Sequence, residues 1–344
     1  MEEHIGIAIV GCGGIAPVHA DAIQEVQKLQ PIQLRAVVDS DLSKARQMAT
    51  AYDCEAGDDY QSLLEREDIQ AVHLCTPHHL HADIAARFLR AGKHVLTEKP
   101  MAHSLEAAET LLTTAQQSSA QLGVCFQNRY NLPSCQIREI IDNGTLGRLV
   151  CLKGVVTWHR DASYYTDSPW RGRWATEGGG VLINQAIHTL DLLRWFGGEV
   201  VSVRGSATAD VLEETIEVED TAHASIQFAS GVRGLFYATN GYLTNSPVEL
   251  ELVFENGTLY QRRDCLFLYR DGQEIQLAEP PTGPREPTPV RGKSYWGSSH
   301  RKLIADFYKH IRSGSPFPLD GTEGFKTMQL IEQIYRSSRT RVSR

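Results

Sequence analysis

Through the first 126 residues, short apolar runs alternate with longer stretches whose apolar positions recur every three or four residues. The runs 5–10, 34–38, 71–75, 94–96 and 122–126 are short and mostly apolar, as strands buried on both faces are. Segments near 15–28, 41–52, 80–91 and 104–118 have the length and period of helices. This alternation predicts an α/β unit: a parallel sheet with helices on both faces, doubly wound because crossovers are right-handed. Asp39-Ser40-Asp41 ends one strand and can open a helix with acidic residues at its N-terminus. Thr76-Pro77 turns another strand toward a helix, and Ala91-Gly92-Lys93 reads as a helix stop.

The pattern changes after residue 145. Strand-like stretches follow at 148–158, 200–209, 221–228, 232–239, 248–254, 257–261, 265–270 and 274–278. Asn256-Gly257 and Asp271-Gly272 are hairpin signals. One long helix, 182–195, interrupts these strands, so this half reads as α+β on a large, mostly antiparallel sheet. The expected division is a dinucleotide-binding domain at 1–127 and an α+β domain for substrate binding and oligomerisation at 128–344. Helical patterns at 298–313 and 322–337 close the chain and could pack back on the first domain. The proline-rich stretch 280–289 is expected to be a surface loop or a lid-like segment.

Composition narrows the function classes. A chain of 344 residues, 42% hydrophobic and 22% charged, has material for two cores and the balance of a soluble protein. A net charge of -8 gives no basic surface for nucleic acid or anionic membrane. The seven cysteines show no C-x-x-C and no disulfide framework, which points to the reducing cytoplasm. The first strand starts almost at once, leaving no room for a signal peptide, and no apolar run is long enough to span a bilayer.

The glycine turn Gly11-Cys12-Gly13-Gly14-Ile15-Ala16 sits between the first strand and the first helix. In that setting G-x-G-x-x-A lets backbone approach a pyrophosphate and aims a helix N-terminus at it. Asp39 ends the second strand 23 residues after Ala16, where a carboxylate meets an adenosine ribose. That carboxylate would repel a 2′-phosphate, and Ser40 and Asp41 offer no cation to neutralise one, so NAD is expected over NADP. The same glycines and acids would also suit an ordinary strand-turn-helix corner with a capped helix.

Three further segments give this fold a family likeness: Thr76-Pro77-His78-His79-Leu80-His81, Glu98-Lys99-Pro100, and Gly178-Gly179-Gly180 followed by Asn184, His188 and Asp191. With the glycine turn, they resemble the glucose-fructose oxidoreductase / inositol dehydrogenase / rhizopine catabolism (Gfo/Idh/MocA) family of NAD(P)-dependent oxidoreductases. The resemblance spans nearly the whole chain. It implies hydride transfer between a secondary hydroxyl of a sugar, cyclitol or polyol and the nicotinamide. It also implies a homodimer or homotetramer and no catalytic metal. Cys75, Thr76, Pro77, His79 and His81 would line the cofactor, with Glu98 and Lys99 beside them and Asn128, Trp170 and Arg171 contributing.

Lys99, at the C-terminal mouth of a parallel sheet, lies where a desolvated amine can donate or accept a proton. The resemblance has it hydrogen-bond the hydroxyl or carbonyl being interconverted. Asn184, His188 and Asp191 are spaced to share one helix face. The three glycines before them are expected to admit substrate or nicotinamide close to the backbone. Many relatives carry an aspartate at the 184 position that works with the histidine. The amide here cannot raise the histidine pKa by charge, so Lys99 would carry more of the proton transfer and Asn184 would hold a sugar hydroxyl. Asp191 is expected to be structural. Arg129, His159, Tyr164 and Tyr165 complete the expected substrate wall. His78, His79 and His81 lack thiol or carboxylate partners at metal-ligand spacing, so no metal is expected. Two alternatives share the sequence signals: a sugar or sugar-nucleotide 3-dehydrogenase that keeps its NAD for transient oxidation, and a sugar-sensing regulator, although regulators of this kind tend to lose the lysine that is present here.

Overall fold

The computed structural model describes residues 4–262, 264–278 and 299–342. It divides into two compact units. One runs to Gln127 and takes back a later segment ending at Phe325; the other runs from Asn128 and takes up the chain again at Lys326.

In the first unit the order is β1 (Ile5–Val10), α1 (Ala16–Val26), β2 (Ile32–Val38), α2 (Leu42–Tyr52), β3 (Glu55–Gly57), β4 (Ala71–Leu74), α3 (His78–Arg90), β5 (His94–Thr97), α4 (Leu105–Gln117) and β6 (Leu122–Val124). The sheet order is β3-β2-β1-β4-β5-β6, and every pairing is parallel. β1 and β4 are buried nearly end to end, which explains their mostly apolar sequences, with His73 the polar exception in β4. The chain winds outward from β1 in one direction and from β4 in the other, so the switch point lies at the carboxyl ends of these two strands. Helix His300–Ser313 belongs to this unit and packs on α1. Strand β3 is absent from the sequence reading because Glu-Ala-Gly carries no apolar run and forms an exposed edge.

The second unit contains α5 (Leu132–Asn143), β7 (Leu149–Thr157), α6 (Ala162–Thr166), α7 (Ile187–Gly197), β8 (Val200–Thr208), β9 (Thr221–Phe228), β10 (Arg233–Thr239), β11 (Glu249–Phe254), β12 (Gly257–Arg262), β13 (Cys265–Arg270) and β14 (Gln273–Ala278). Its sheet order is β14-β13-β12-β11-β7-β10-β9-β8, antiparallel except for the β7–β10 pair. Burial alternates along β9 and β10, as in a sheet with one covered face. Helix α7 covers that face, and a Cβ at Gly154 would stand 2.7 Å from Thr189 Cγ2. Asp271 and Gly272, at φ 53° and 75°, make the tight turn between β13 and β14. The proline-rich stretch 280–289 lies outside the described residues.

Candidate active site

The glycine turn is shaped by contacts its sequence cannot show. Gly11 sits at φ 93°, and a Cβ there would lie 2.7 Å from the Cys75 carbonyl carbon and oxygen. Only glycine fits where β1 ends against the turn after β4. A Cβ at Gly13 would meet nothing within 4 Å, so that position keeps an open approach to the backbone. Helix α1 starts at Ala16, with Ile15 at its N-cap and proline in its first turn. Asp39 reaches back from the end of β2: its Oδ2 accepts the Cys12 N–H at 2.7 Å and its Oδ1 accepts the Asp41 N–H at 2.9 Å. Asp41, not Asp39 or exposed Ser40, caps α2. A bare turn and a helix N-terminus that offer backbone donors, with an accepting carboxylate at the end of β2, fit a dinucleotide. Burial and then Asp39 push the Cys12 thiol up to about 12, and burial raises Cys75 well above its usual range, so neither is a thiolate.

After β5, Glu98 turns inward and is buried. Its Oε1 accepts from His19 Nε2 at 3.0 Å and from His300 Nε2 at 3.3 Å, and its Oε2 accepts the Lys99 N–H at 3.2 Å. His19 Nδ1 meets His73 Nδ1 at 2.8 Å, and His73 Nε2 meets the Tyr308 hydroxyl at 2.8 Å. All five side chains are buried. A set of neutral tautomers satisfies the chain. Ionised Glu98 only accepts, so His19 and His300 each carry a proton on Nε2. His19 Nδ1 then accepts from His73 Nδ1–H, and Tyr308 donates to His73 Nε2. Burial lowers the pKa of His19 and of His73, in keeping with neutral rings at these two positions. Burial pushes Glu98 up, but its bonds to His19 and His300 outweigh that and hold it well below the usual carboxylate range. His19, Glu98 and Cys125 are the one trio with metal-ligand spacing among the described residues. The closed hydrogen-bond chain already accounts for the imidazole and carboxylate atoms of that trio. Lys99 itself is half-buried.

The histidines after β4 are not on a loop: His78, His79 and His81 occupy the first turn of α3, with Pro77 at its N-cap. His81, expected on the cofactor, is buried, with Nε2 2.7 Å from the Thr76 carbonyl and Nδ1 2.7 Å from the Pro100 carbonyl. It clamps the turn after β4 to the turn after β5. Burial lowers its pKa, and the two carbonyls oppose that shift.

In the second unit the glycine run packs closely against protein at Gly179 and Gly180. Gly179 is at φ 151° and a Cβ there would lie 2.1 Å from the Tyr335 hydroxyl; a Cβ at Gly180 would lie 1.8 Å from the Glu219 carbonyl oxygen. Buried Glu219 clasps the run. Its Oε2 accepts Gly180 N–H at 3.0 Å, its Oε1 accepts Leu182 N–H at 2.9 Å, and its backbone carbonyl accepts Val181 N–H at 3.0 Å. Burial drives Glu219 up to about 7, partly offset by the backbone N–H groups and by Tyr335.

The helix after the glycines starts at Ile187, not 182, because buried Val181, Leu182 and Ile183 belong to turns held by Glu219. Asn184 is therefore not on one helix face with His188 and Asp191. It is half-buried in the turn, and its Nδ2 donates to Glu177 Oε1 at 2.5 Å. His188 is half-buried at the start of α7. Asp191 is structural: Arg129 Nε and Nη2 bind its two oxygens at 2.7 and 2.6 Å, and Thr327 Oγ1 donates at 3.0 Å. Arg129, expected on the substrate, is thus a buried ion-pair partner. Arg171 lies over the Tyr164 ring at 4.3 Å and over Trp170 at 5.0 Å, and Tyr165 is buried beside Tyr164. His159 is exposed at the end of β7, its Nδ1 2.7 Å from the Tyr242 carbonyl. Asn128 is half-buried in the short turn Gln127–Tyr130. Sequence reasoning missed His19, His300, Glu177 and Glu219. The only signals were a histidine three positions after Ala16 and a glutamate directly before Gly178.

Comparison with known proteins fits this layout. Residues 5–126 match the family described as "Oxidoreductase family, NAD-binding Rossmann fold", and residues 134–260 match the "GFO/IDH/MocA C-terminal domain". Inositol 2-dehydrogenase of Rhizobium meliloti is 32% identical over 97% of this chain and 96% of its own. The chain belongs to the GFO/IDH/MocA family. Levoglucosan dehydrogenase of Pseudarthrobacter phenanthrenivorans is 25% identical over 98% of this chain and 96% of its own. Among solved structures, the WlbA dehydrogenase from Bordetella pertussis, in complex with NADH and UDP-GlcNAcA, superposes with a TM-score of 0.83 at 26% identity, covering 98% of this chain and 97% of that one. The chain is accordingly an oxidoreductase of an NAD-binding Rossmann family. No helix among the described residues is long and apolar enough to cross a membrane.

Proposed function

We propose that this GFO/IDH/MocA member oxidises a secondary hydroxyl of a sugar, cyclitol or related polyol, with Lys99 and His188 moving the hydroxyl proton. The observation that carries the reading is the Glu98 anchor, which fixes the backbone N–H of Lys99 and so the root of its side chain. When bound, the nicotinamide supplies the hydride acceptor. The residues assigned to hold it are Gly11, Gly13, the start of α1 and Asp39. Asp39 favours NAD over NADP, since its carboxylate is matched to ribose hydroxyls and opposes a 2′-phosphate. Asn184 and Tyr164 would bind substrate hydroxyls, with Arg171 and Trp170 beside them.

The likeness to WlbA supports a second reading on the same residues: transient oxidation of a sugar nucleotide with retained NAD. Self-association through the open face of the second unit's sheet, where Leu235 and Tyr237 are exposed, and residence in the cytoplasm complete the proposal.

The test is a panel of myo-inositol, levoglucosan, methyl glucoside and UDP-GlcNAcA with NAD and NADP, following absorbance of the reduced cofactor. Net NADH from one of the free polyols supports the main reading. NAD retained through purification without net NADH supports the second. No reaction and no nucleotide uptake overturns both.

A further inference from the structure

Glu177 is a carboxylate with no solvent exposure, seven residues before Asn184. Its Oε2 accepts the Gly172 N–H at 2.5 Å, and its Oε1 accepts from the Asn184 side chain at 2.5 Å. An ionised carboxylate accepts and does not donate. The limb of Asn184 that faces it is Nδ2, which leaves Oδ1 as the accepting limb of the amide. Nδ2 also reaches the Tyr164 hydroxyl at 3.4 Å, and Gln185 Nε2 reaches the same oxygen at 3.2 Å. Gln185 is oriented in turn, because its Oε1 accepts from buried Asn240 Nδ2 at 3.0 Å. Two amide donors on the Tyr164 oxygen leave that hydroxyl to act as a donor.

We infer that Glu177 is a positioning residue that sets the hydrogen-bond polarity of the substrate wall, holding Asn184 as an acceptor and Tyr164 as a donor toward substrate hydroxyls. This rests on the reading of Asn184 as substrate-facing. A sugar or cyclitol offers hydroxyls that meet both polarities. Reversing the amide would set two donors, or two acceptors, against each other where little water can intervene.

The test is a set of variants assayed with the panel member that the unaltered chain turns over best. In N184D, two carboxylates stand within hydrogen-bond reach and cannot both ionise. At about pH 8, kcat/KM is expected to fall at least roughly tenfold, with recovery toward about pH 5.5, where one shared proton again puts a donor opposite Glu177. In E177Q, one amide oxygen must serve both Gly172 and Asn184, and a loss of about fivefold is expected. In E177Q/N184D, the amide at 177 gives its oxygen to Gly172 and its NH₂ to the carboxylate at 184. Activity within about fivefold of the unaltered chain at about pH 8, with a flat ratio across pH, is the expected rescue.

Losses that simply multiply in the double variant overturn the inference, as does an N184D pH profile parallel to that of the unaltered chain. Should N184D fail to fold, the folded double variant's activity decides alone. Full activity in N184A would defeat the substrate-facing role of Asn184 and this inference with it, while leaving the dehydrogenase reading intact. No turnover by the unaltered chain would defeat that reading first.

Discussion

Glu98 and Glu219 are both carboxylates sealed inside their own units, and each holds a segment that carries candidate chemistry. Glu98 accepts from two imidazoles and the Lys99 N–H, and stays ionised well below the ordinary range. Glu219 accepts from the Gly180 and Leu182 backbone N–H groups, and burial pushes it up to about 7. Similar burial thus accompanies opposite shifts: the bonds from His19 and His300 outweigh burial at Glu98, whereas at Glu219 burial outweighs the backbone N–H groups. The consequences for stability have opposite signs. Glu98 stabilises the fold above the unfolded carboxylate pKa and loses that contribution as pH falls. His19 and His73 act in the same sense, since the unfolded chain takes up protons below about pH 6.5 that the buried rings refuse. Glu219 is protonated in the fold at mildly acid pH, and its contribution declines as pH rises from about 4.5 toward 7.

The largest effect is expected on breaking the Glu98 side of the comparison. E98A leaves two imidazole N–H groups and the Lys99 N–H without their acceptor. It should cost about 3–5 kcal/mol, read as a fall in the urea midpoint. A loss under about 1 kcal/mol would mean the histidine chain holds itself together. Next comes the Glu219 side. Raising the folded pKa from 4.5 to about 7 corresponds to roughly 3 kcal/mol of stability lost between about pH 4.5 and 8. E219Q should flatten that slope in pH-resolved unfolding, and an unchanged slope would assign the titration to another group. The smallest effect belongs to the glycine turn. D39A should weaken NAD binding by about tenfold or more and NADP binding much less. Equal losses would show Asp39 to be only an anchor for the Cys12 N–H.

Much of the fold was legible in the sequence because parallel strands buried on both faces write continuous apolar runs, and hairpins write Asn-Gly and Asp-Gly. What escaped has physical reasons. Glu55–Gly57 pairs at an exposed edge with no apolar residue beyond one alanine. Helix Leu132–Asn143 lies between two louder signals and buries few residues. The apolar 181–183 run looked like the first turn of α7, but it is a buried turn shaped by Glu219.

In the candidate site, the glycine turn and Lys99 are local motifs and could be read directly. The partners that orient them are not local. His300 joins Glu98 across 202 positions and His19 across 79, so only the fold brings them together. The same holds for the glycines 178–180: sequence shows that small residues are required there, and coordinates show that Tyr335 and Glu219 are what they approach.

The most direct test of the proposed chemistry is K99A, assayed for turnover of the best panel substrate and, separately, for NADH binding by fluorescence. Turnover should fall by about a thousandfold or more while the NADH dissociation constant stays within about threefold. Turnover within about tenfold of the unaltered chain would contradict the role assigned to Lys99.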